Sequence, residues 1–223
     1  MIKRATKAWL FTALVAFVLA GSAGAAFAAQ VALWHMEDPT VMTDSADGND
    51  GIPTDVQQVP GYIGNGYGFN GTTSFVRVPS SASLNPGSAN ITITAHVKFS
   101  ILPPSKHDYD LVRKGISSTA GGDYKMEILS TGRVRCYFKG TSRVSASVVP
   151  ATPINDNQWH TITCTKTANS VTATVDSKSR TSSGSAGSIS NNADLIVGAK
   201  SSSGGANNNW YNGRLDEVSI NIG

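Results

Sequence analysis

The sequence predicts an all-β sandwich or jelly roll, on three observations. Apolar and polar residues alternate with period two in runs from residue 73 to the end of the chain. These runs are rich in Val, Ile, Thr, Phe and Tyr, and Gly, Asn, Ser and Pro bound them. Helical periodicity is nearly absent after residue 28. Many short strands separated by turn signals are the pattern of two packed sheets.

The chain opens "MIKRATKAWLFTALVAFVLAGSAGAAFAAQ". Lys3, Arg4 and Lys7 form a basic start, Ala8 to Ala20 an apolar run, and Ala26-Phe27-Ala28 a small-x-small site. That layout predicts a secretory signal peptide over residues 1–28, cleaved after Ala28, with Ala25 and Ala29 as neighbouring alternatives. One domain is expected over 29–223, about 195 residues and large enough for a substantial core. Three of the 18 Lys and Arg leave with the signal, so 15 basic residues face 15 acidic ones. No basic run or basic-aromatic interleaving remains, which argues against nucleic acid. Nor does a second apolar segment long enough to span a membrane follow. The expected location is secreted or extracellular.

In the first strand Ala32, Trp34 and Met36 share a phase. Alternating runs follow at 73–78, 91–99, 123–129, 133–138, 159–166, 170–175, 194–199 and 215–222. "STG" at 130–132 predicts a short hairpin, because Gly132 supplies the positive φ such a loop needs. Cys136 and Cys164 are the only cysteines, and an even pair in an exported chain favours a structural disulfide. Each is in phase with apolar neighbours, so the bridge would join two core-facing positions. The stretches 100–110, 181–192 and 201–209 are rich in Ser, Gly, Asn and Pro and are expected as loops.

"DSADGNDG" (44–51) invites comparison with a calcium loop. An EF-hand counted from Asp44 would place Ala46, Gly48 and Asp55 at positions three, five and twelve, so that motif fails. Taken alone, the string reads as an Asx-rich turn.

The order "ALWHMED", "DSADGNDG", "GYIGNGYGFNGTTSFVRVP", "ITITAHVKF", "NDNQWHTITCTK" and "YNGRLDEVSINI" resembles the laminin-G-like domains of the concanavalin A-like lectin/glucanase superfamily. The resemblance runs from the first strand to the last. It implies a two-sheet antiparallel jelly roll whose first and last strands lie side by side, a ligand-binding role, and in many members a structural calcium. "VDSKS" (175–179) departs from the family pattern in lacking an Asp-Gly turn. If the terminal strands pair, Asp38 and Asp216 would converge at the rim of the apolar face, where a carboxylate needs a cation or donors. Asp44, Asp216 and Asp38 are therefore the expected ligands of a structural Ca2+, with Glu37 in reserve if a bulge shifts the phase. The competing expectation is that Asp216 accepts backbone N–H bonds or pairs with Arg214.

Hydrolytic chemistry is poorly supported. Glycosidases need two carboxylates flanking the scissile bond, yet Asp216 and Glu217 are adjacent and would point to opposite faces of a regular strand. Glu127 has no acidic partner two residues on. There is no G-x-S-x-G elbow, and the four histidines show no metal-ligand spacing. His160 reads as a hydrogen-bonding structural residue. Arg133, Arg135 and Tyr137 alternate out of phase with the core and read as solvated sheet residues. In "NNNWYN", Asn209, Trp210 and Tyr211 could form a glycan-contacting edge, since aromatic rings stack on sugar faces and amides bond hydroxyls. The alternative there is that Trp210 folds back over the sandwich rim. The expected function is a secreted, non-catalytic, lectin-like module binding carbohydrate, with a protein-binding or adhesion module as the alternative and a weak glycoside hydrolase third.

Overall fold

A computed structural model describes residues 28–200 and 209–223. The expected signal segment up to Phe27 lies outside the described residues, as do residues 201–208 of the third expected loop. In chain order the strands are β1 (Ala29–Trp34), β2 (Ile52–Thr54), β3 (Gln57–Pro60), β4 (Asn65–Asn70), β5 (Phe75–Val78), β6 (Ile91–Lys98), β7 (Asp108–Lys114) and β8 (Asp123–Leu129). They continue with β9 (Val134–Lys139), β10 (Arg143–Val148), β11 (His160–Lys166), β12 (Ser170–Val175), β13 (Lys178–Ser183), β14 (Leu195–Val197) and β15 (Asn212–Ile222).

The strands form two antiparallel sheets. One runs β13-β12-β11-β6-β15-β4-β3, with β1 also paired to β15, and the other runs β10-β9-β8-β7-β14-β5-β2. The terminal strands lie side by side, Ala29 opposite Ile222 and Trp34 opposite Val218, as the resemblance implied. Between the sheets, one apolar face from each packs into a shared core: Ile91, Ile93, Ala95 and Val97 of β6 and Tyr124, Met126 and Ile128 of β8 are fully buried. Period-two burial follows the sequence alternation, because successive side chains of a strand point to opposite faces. Cys136 of β9 and Cys164 of β11 are bonded with Cα atoms 5.3 Å apart, and the bond ties one sheet to the other. No helix among the described residues is long and apolar enough to cross a membrane.

Six strands lie outside the alternating runs: β2, β3 and β4, together with β7, β10 and β13. β7 takes the last residues of the 100–110 stretch, and a bulge between Asp110 and Val112 breaks its period. β10 is the Ser-rich edge of its sheet, and β13 extends into the 181–192 stretch. The β12–β13 hairpin closes without an Asp-Gly turn because Asp176 itself adopts φ +50°. Aspartate tolerates that left-handed backbone better than most residues. Gly132 has the positive φ expected of its hairpin, +74°.

Candidate functional site

Asp44 sits just beyond β1 and faces inward to its own loop. Its Oδ1 accepts the N–H groups of Leu33 at 2.8 Å and Ala46 at 2.9 Å. Its Oδ2 accepts those of Asp47 at 3.1 Å and Asn49 at 2.8 Å. Burial pushes the Asp44 carboxyl up, but the four N–H donors outweigh burial and hold it below the ordinary carboxylate range. "DSADGNDG" is thus an Asx-type turn closed around its first carboxylate.

Asp216 does the equivalent for another loop. A bulge between Asp216 and Ser219, with Glu217 at φ +48°, turns the Asp216 side chain out of the regular alternation of β15. Its Oδ2 accepts the N–H groups of Tyr62 at 2.7 Å and Ile63 at 2.9 Å, and its Oδ1 that of Glu217 at 2.9 Å. The fit is close enough that a Cβ on Gly61 would lie 2.6 Å from Asp216 Oδ2. Burial pushes this carboxyl up to about 6, and its backbone donors offset only part of that.

Asp38 goes to neither loop. β1 ends at Trp34 and Met36 adopts φ +56°, so the phase that would have carried Asp38 to the rim is broken. Asp38 is exposed and accepts the N–H of Thr40 at 2.8 Å. Glu37 accepts the backbone and side-chain N–H groups of Asn65 at 3.1 and 3.0 Å. Each carboxylate therefore serves a different backbone segment. No group of three or more His, Cys, Asp or Glu residues that could hold a metal ion forms among the described residues. The N–H dipoles aimed at Asp44 and Asp216 present positive ends where a cation would need bare oxygens, so these residues do not fit a shared calcium.

The "NNNWYN" edge divides. Tyr211 is 0% exposed and stands among Phe69, Phe99 and Tyr109, with ring centroids 5.4–6.1 Å away. Its hydroxyl lies 3.1 Å from the Arg214 carbonyl and 3.3 Å from that of Lys98. This corrects the expectation that Tyr211 contacts ligand: adjacent residues of an extended segment face opposite ways, and Tyr211 has the inward position. Trp210 takes the outward one. Its ring packs 5.9 Å from that of Phe75 and lines an open cleft of about 280 Å³ with Asn209, Asn212, His107, Asp108 and Leu102. Asn209, at φ +48°, is fixed by its carbonyl, which accepts the Asp110 N–H at 3.1 Å.

Next to this cleft, sharing His107, Asp108 and Asn209 with it, lies a second of about 390 Å³ on the outward face of β7, β8 and β9. Arg113, Asp123 and Lys125 in its lining belong to a network of largely buried charges. Arg113 donates to Asp110 at 2.7 Å and to the Gly115 carbonyl at 2.9 Å. Lys125 and Arg135 both bond Glu127, Lys125 also stands 3.9 Å from Asp110, and Arg135 reaches Asp108 at 3.6 Å. Lys125 lies over the Tyr137 ring, 5.5 Å from its centroid. Arg135 and Tyr137 are therefore parts of a half-buried polar face rather than freely solvated, whereas Arg133 is exposed.

Asp123 is the least satisfied member of that network; Asp110 leaves only its Oδ1 without a hydrogen bond among the described residues. Asp123 is 0% exposed, and neither carboxylate oxygen has a hydrogen-bond partner among the described residues. Burial raises its pKa above the ordinary carboxylate range, against the lowering influence of Arg113, Lys139 and Lys125. "DYKMEIL" displays the alternation of Asp123, Lys125 and Glu127 against Tyr124, Met126 and Ile128. That alternation signals an outward charged row, but its burial depends on β7 and β9, which no local pattern reports.

His160 is held between two carboxylates, Nδ1 at 2.9 Å from Asp176 and Nε2 at 3.0 Å from Asp156. Burial opposes its charged form, yet the two aspartates raise its pKa above the ordinary value. Its role is to pin the entry to β11, as expected of a structural histidine.

Residues 70–221 match the laminin G family described as the concanavalin A-like lectin/glucanases superfamily. No curated protein matches the chain in sequence. Solved structures show the same fold at low identity. The binding domain of Paraclostridial Mosquitocidal Protein 1 is 20% identical, with TM-score 0.70 over 86% of this chain and 48% of that one. Domain 4 of AbnA, a GH43 extracellular arabinanase from Geobacillus stearothermophilus solved with arabinotriose, is 16% identical, with TM-score 0.62 over 88% of this chain and 93% of that one. A Trypanosoma rangeli sialidase is 16% identical, with TM-score 0.60 over 86% of this chain and 30% of that one. The chain thus spans about half the length of the mosquitocidal-protein chain and less than a third of the sialidase. Binding domains and catalytic proteins alike contain this fold, so the fold alone does not choose between them. The chain belongs to the laminin G family of the concanavalin A-like lectin/glucanase superfamily.

Proposed function

We propose that the protein is a secreted, non-catalytic carbohydrate-binding module whose ligand rests in the Trp210 cleft. One observation carries this reading. Trp210 is presented outward beside Asn209, Asn212, His107 and Asp108, an aromatic face ringed by donors and acceptors suited to hydroxyls. The arabinotriose held by the similarly folded domain 4 of AbnA supports a saccharide as ligand. The Cys136–Cys164 disulfide accords with an exported protein. The non-catalytic part of the reading is supported by the fate of the nearby acids: Asp110 and Glu127 stand opposite each other in register, but both are engaged by Arg113, Lys125 or Arg135. A glycosidase pair needs one carboxyl free to protonate and another free to attack or activate water.

A glycan array followed by calorimetry on Trp210→Ala tests the proposal. The expected result is binding to at least one glycan class, weakened by about tenfold or more in the variant. Wild-type protein that binds no glycan would favour the alternative, a protein-binding or adhesion surface. That alternative has its own support in Tyr62 and Ile63, 49% and 59% exposed on the loop that Asp216 holds rigid.

A further inference from the structure

We infer that the charged cleft beside Trp210 is a subsite for an acidic sugar, a uronic acid residue of the bound glycan, an assignment that rests on the carbohydrate-binding reading. The cleft floor holds a carboxylate that lacks donors. Asp123 is fully buried and lines the cleft, and both of its oxygens are without partners among the described residues. A carboxylate so placed is costly until donors reach it, and two hydroxyls of one sugar ring supply a donor to each oxygen.

The rim supplies the second half of the assignment. Among the cations lining the cleft, Arg113 and Lys125 are already engaged by Asp110 and Glu127. Asp108 is likewise answered by Arg135. Lys106 and Lys200 line the same cleft and have no ion-pair partner among the described residues. Unanswered groups are therefore two ammonium ions at the rim and one carboxylate at the floor. A cationic ligand would satisfy Asp123 but meet both lysines with the wrong sign. A neutral sugar would satisfy Asp123 but offer the rim only uncharged acceptors, leaving both ammonium charges unpaired. A uronic acid satisfies all three, its hydroxyls donating to Asp123 and its carboxylate accepting from Lys106 and Lys200. Because Asn209 and His107 line both clefts, one chain of sugars could run from Trp210 into this subsite.

The test is calorimetric titration of the full chain with a galacturonic acid oligosaccharide and with its methyl ester, which keeps the hydroxyls and removes the charge. The free acid should bind about tenfold more tightly than the ester, and that advantage should fade at about 0.5 M salt. Lys106→Met combined with Lys200→Met should erase the difference between acid and ester. Asp123→Asn should weaken both ligands, its fold being checked by an unchanged circular dichroism spectrum and a cooperative thermal transition. Equal affinities for acid and ester would overturn the acidic-sugar assignment. Binding of neutral glycans through Trp210 with no uronate binding would overturn the assignment and leave the carbohydrate reading standing. If no saccharide of any kind binds, both fall together.

Discussion

The two sheets present the same kind of apolar face to the core and opposite chemistry to solvent. On β6, β11, β12 and β13 of the eight-stranded sheet, many outward positions are hydroxyls. Thr92 and Thr94 of β6 meet Thr165 and Thr163 of β11 at 3.2 and 3.4 Å, and Thr172 and Thr174 of β12 meet Thr181 and Ser179 of β13 at 2.8 and 2.9 Å. On the seven-stranded sheet, the matching positions of β7, β8 and β9 carry Asp110, Arg113, Asp123, Lys125, Glu127 and Arg135, several of them fully buried. Threonine rows satisfy one another, favour strand backbone and tolerate water. Buried charges cost stability wherever a partner is missing. The first face is made for folding, whereas the second accepts a stability cost. Such costs concentrate at sites that bind or react.

Glu127→Ala has the largest expected effect on stability. It would leave Lys125 and Arg135 facing each other without their shared carboxylate, and the expected loss is about 3–5 kcal/mol. Thr163→Val on the opposite face should stay within about 0.5 kcal/mol. Urea unfolding with equal m-values would measure both. If the two variants lose the same amount, the faces are energetically alike. Replacing both cysteines by alanine, which removes the covalent tie between the two sheets, should cost about 3–4 kcal/mol in the chain-entropy account. The urea midpoint of the doubly substituted protein, compared with wild type under non-reducing conditions, reads it.

The sequence made much of this fold legible because alternation reports directly which side of a strand is buried. "ITITAHV" and "HTITCTK" needed nothing else, and the cysteine pairing followed from there being only two cysteines in a chain read as exported, with their phase in agreement. Legibility ended where the backbone left the regular strand. Met36 and Glu217, both at positive φ, broke the phases that would have brought Asp38 beside Asp216. The bulge in β7 hid Asp110 and Arg113 in the same way, placing them on one face although they are three residues apart. At "NNNWYN" the alternation rule already held the answer, since Trp210 and Tyr211 cannot both face solvent in an extended segment. The importance of Asp123 was beyond any local pattern, because it depends on what neighbouring strands fail to offer it.

The smallest effects separate Asp44 from Asp216, two carboxylates that each clamp a loop through backbone N–H groups but differ in pKa. Asp44 is held below the ordinary range, so its contribution to stability is present above about pH 3.9 and is lost as pH falls through its depressed folded value. Asp216 is pushed up to about 6, so its contribution is complete below about pH 3.9 and is lost as pH rises through about 6. Asp216→Asn should therefore flatten the pH dependence of the melting temperature between about 4 and 6, and Asp44→Asn should flatten it only below about 4. Asp123, raised by burial, belongs with Asp216 in sign. Since the oxygens of Asp44 and Asp216 are occupied by amides rather than left open to a cation, adding a chelator at neutral pH should leave the melting temperature unchanged. A downward shift on chelation that calcium reverses, and that Asp44→Asn abolishes, would show that the amide clamp gives way to a metal site in solution.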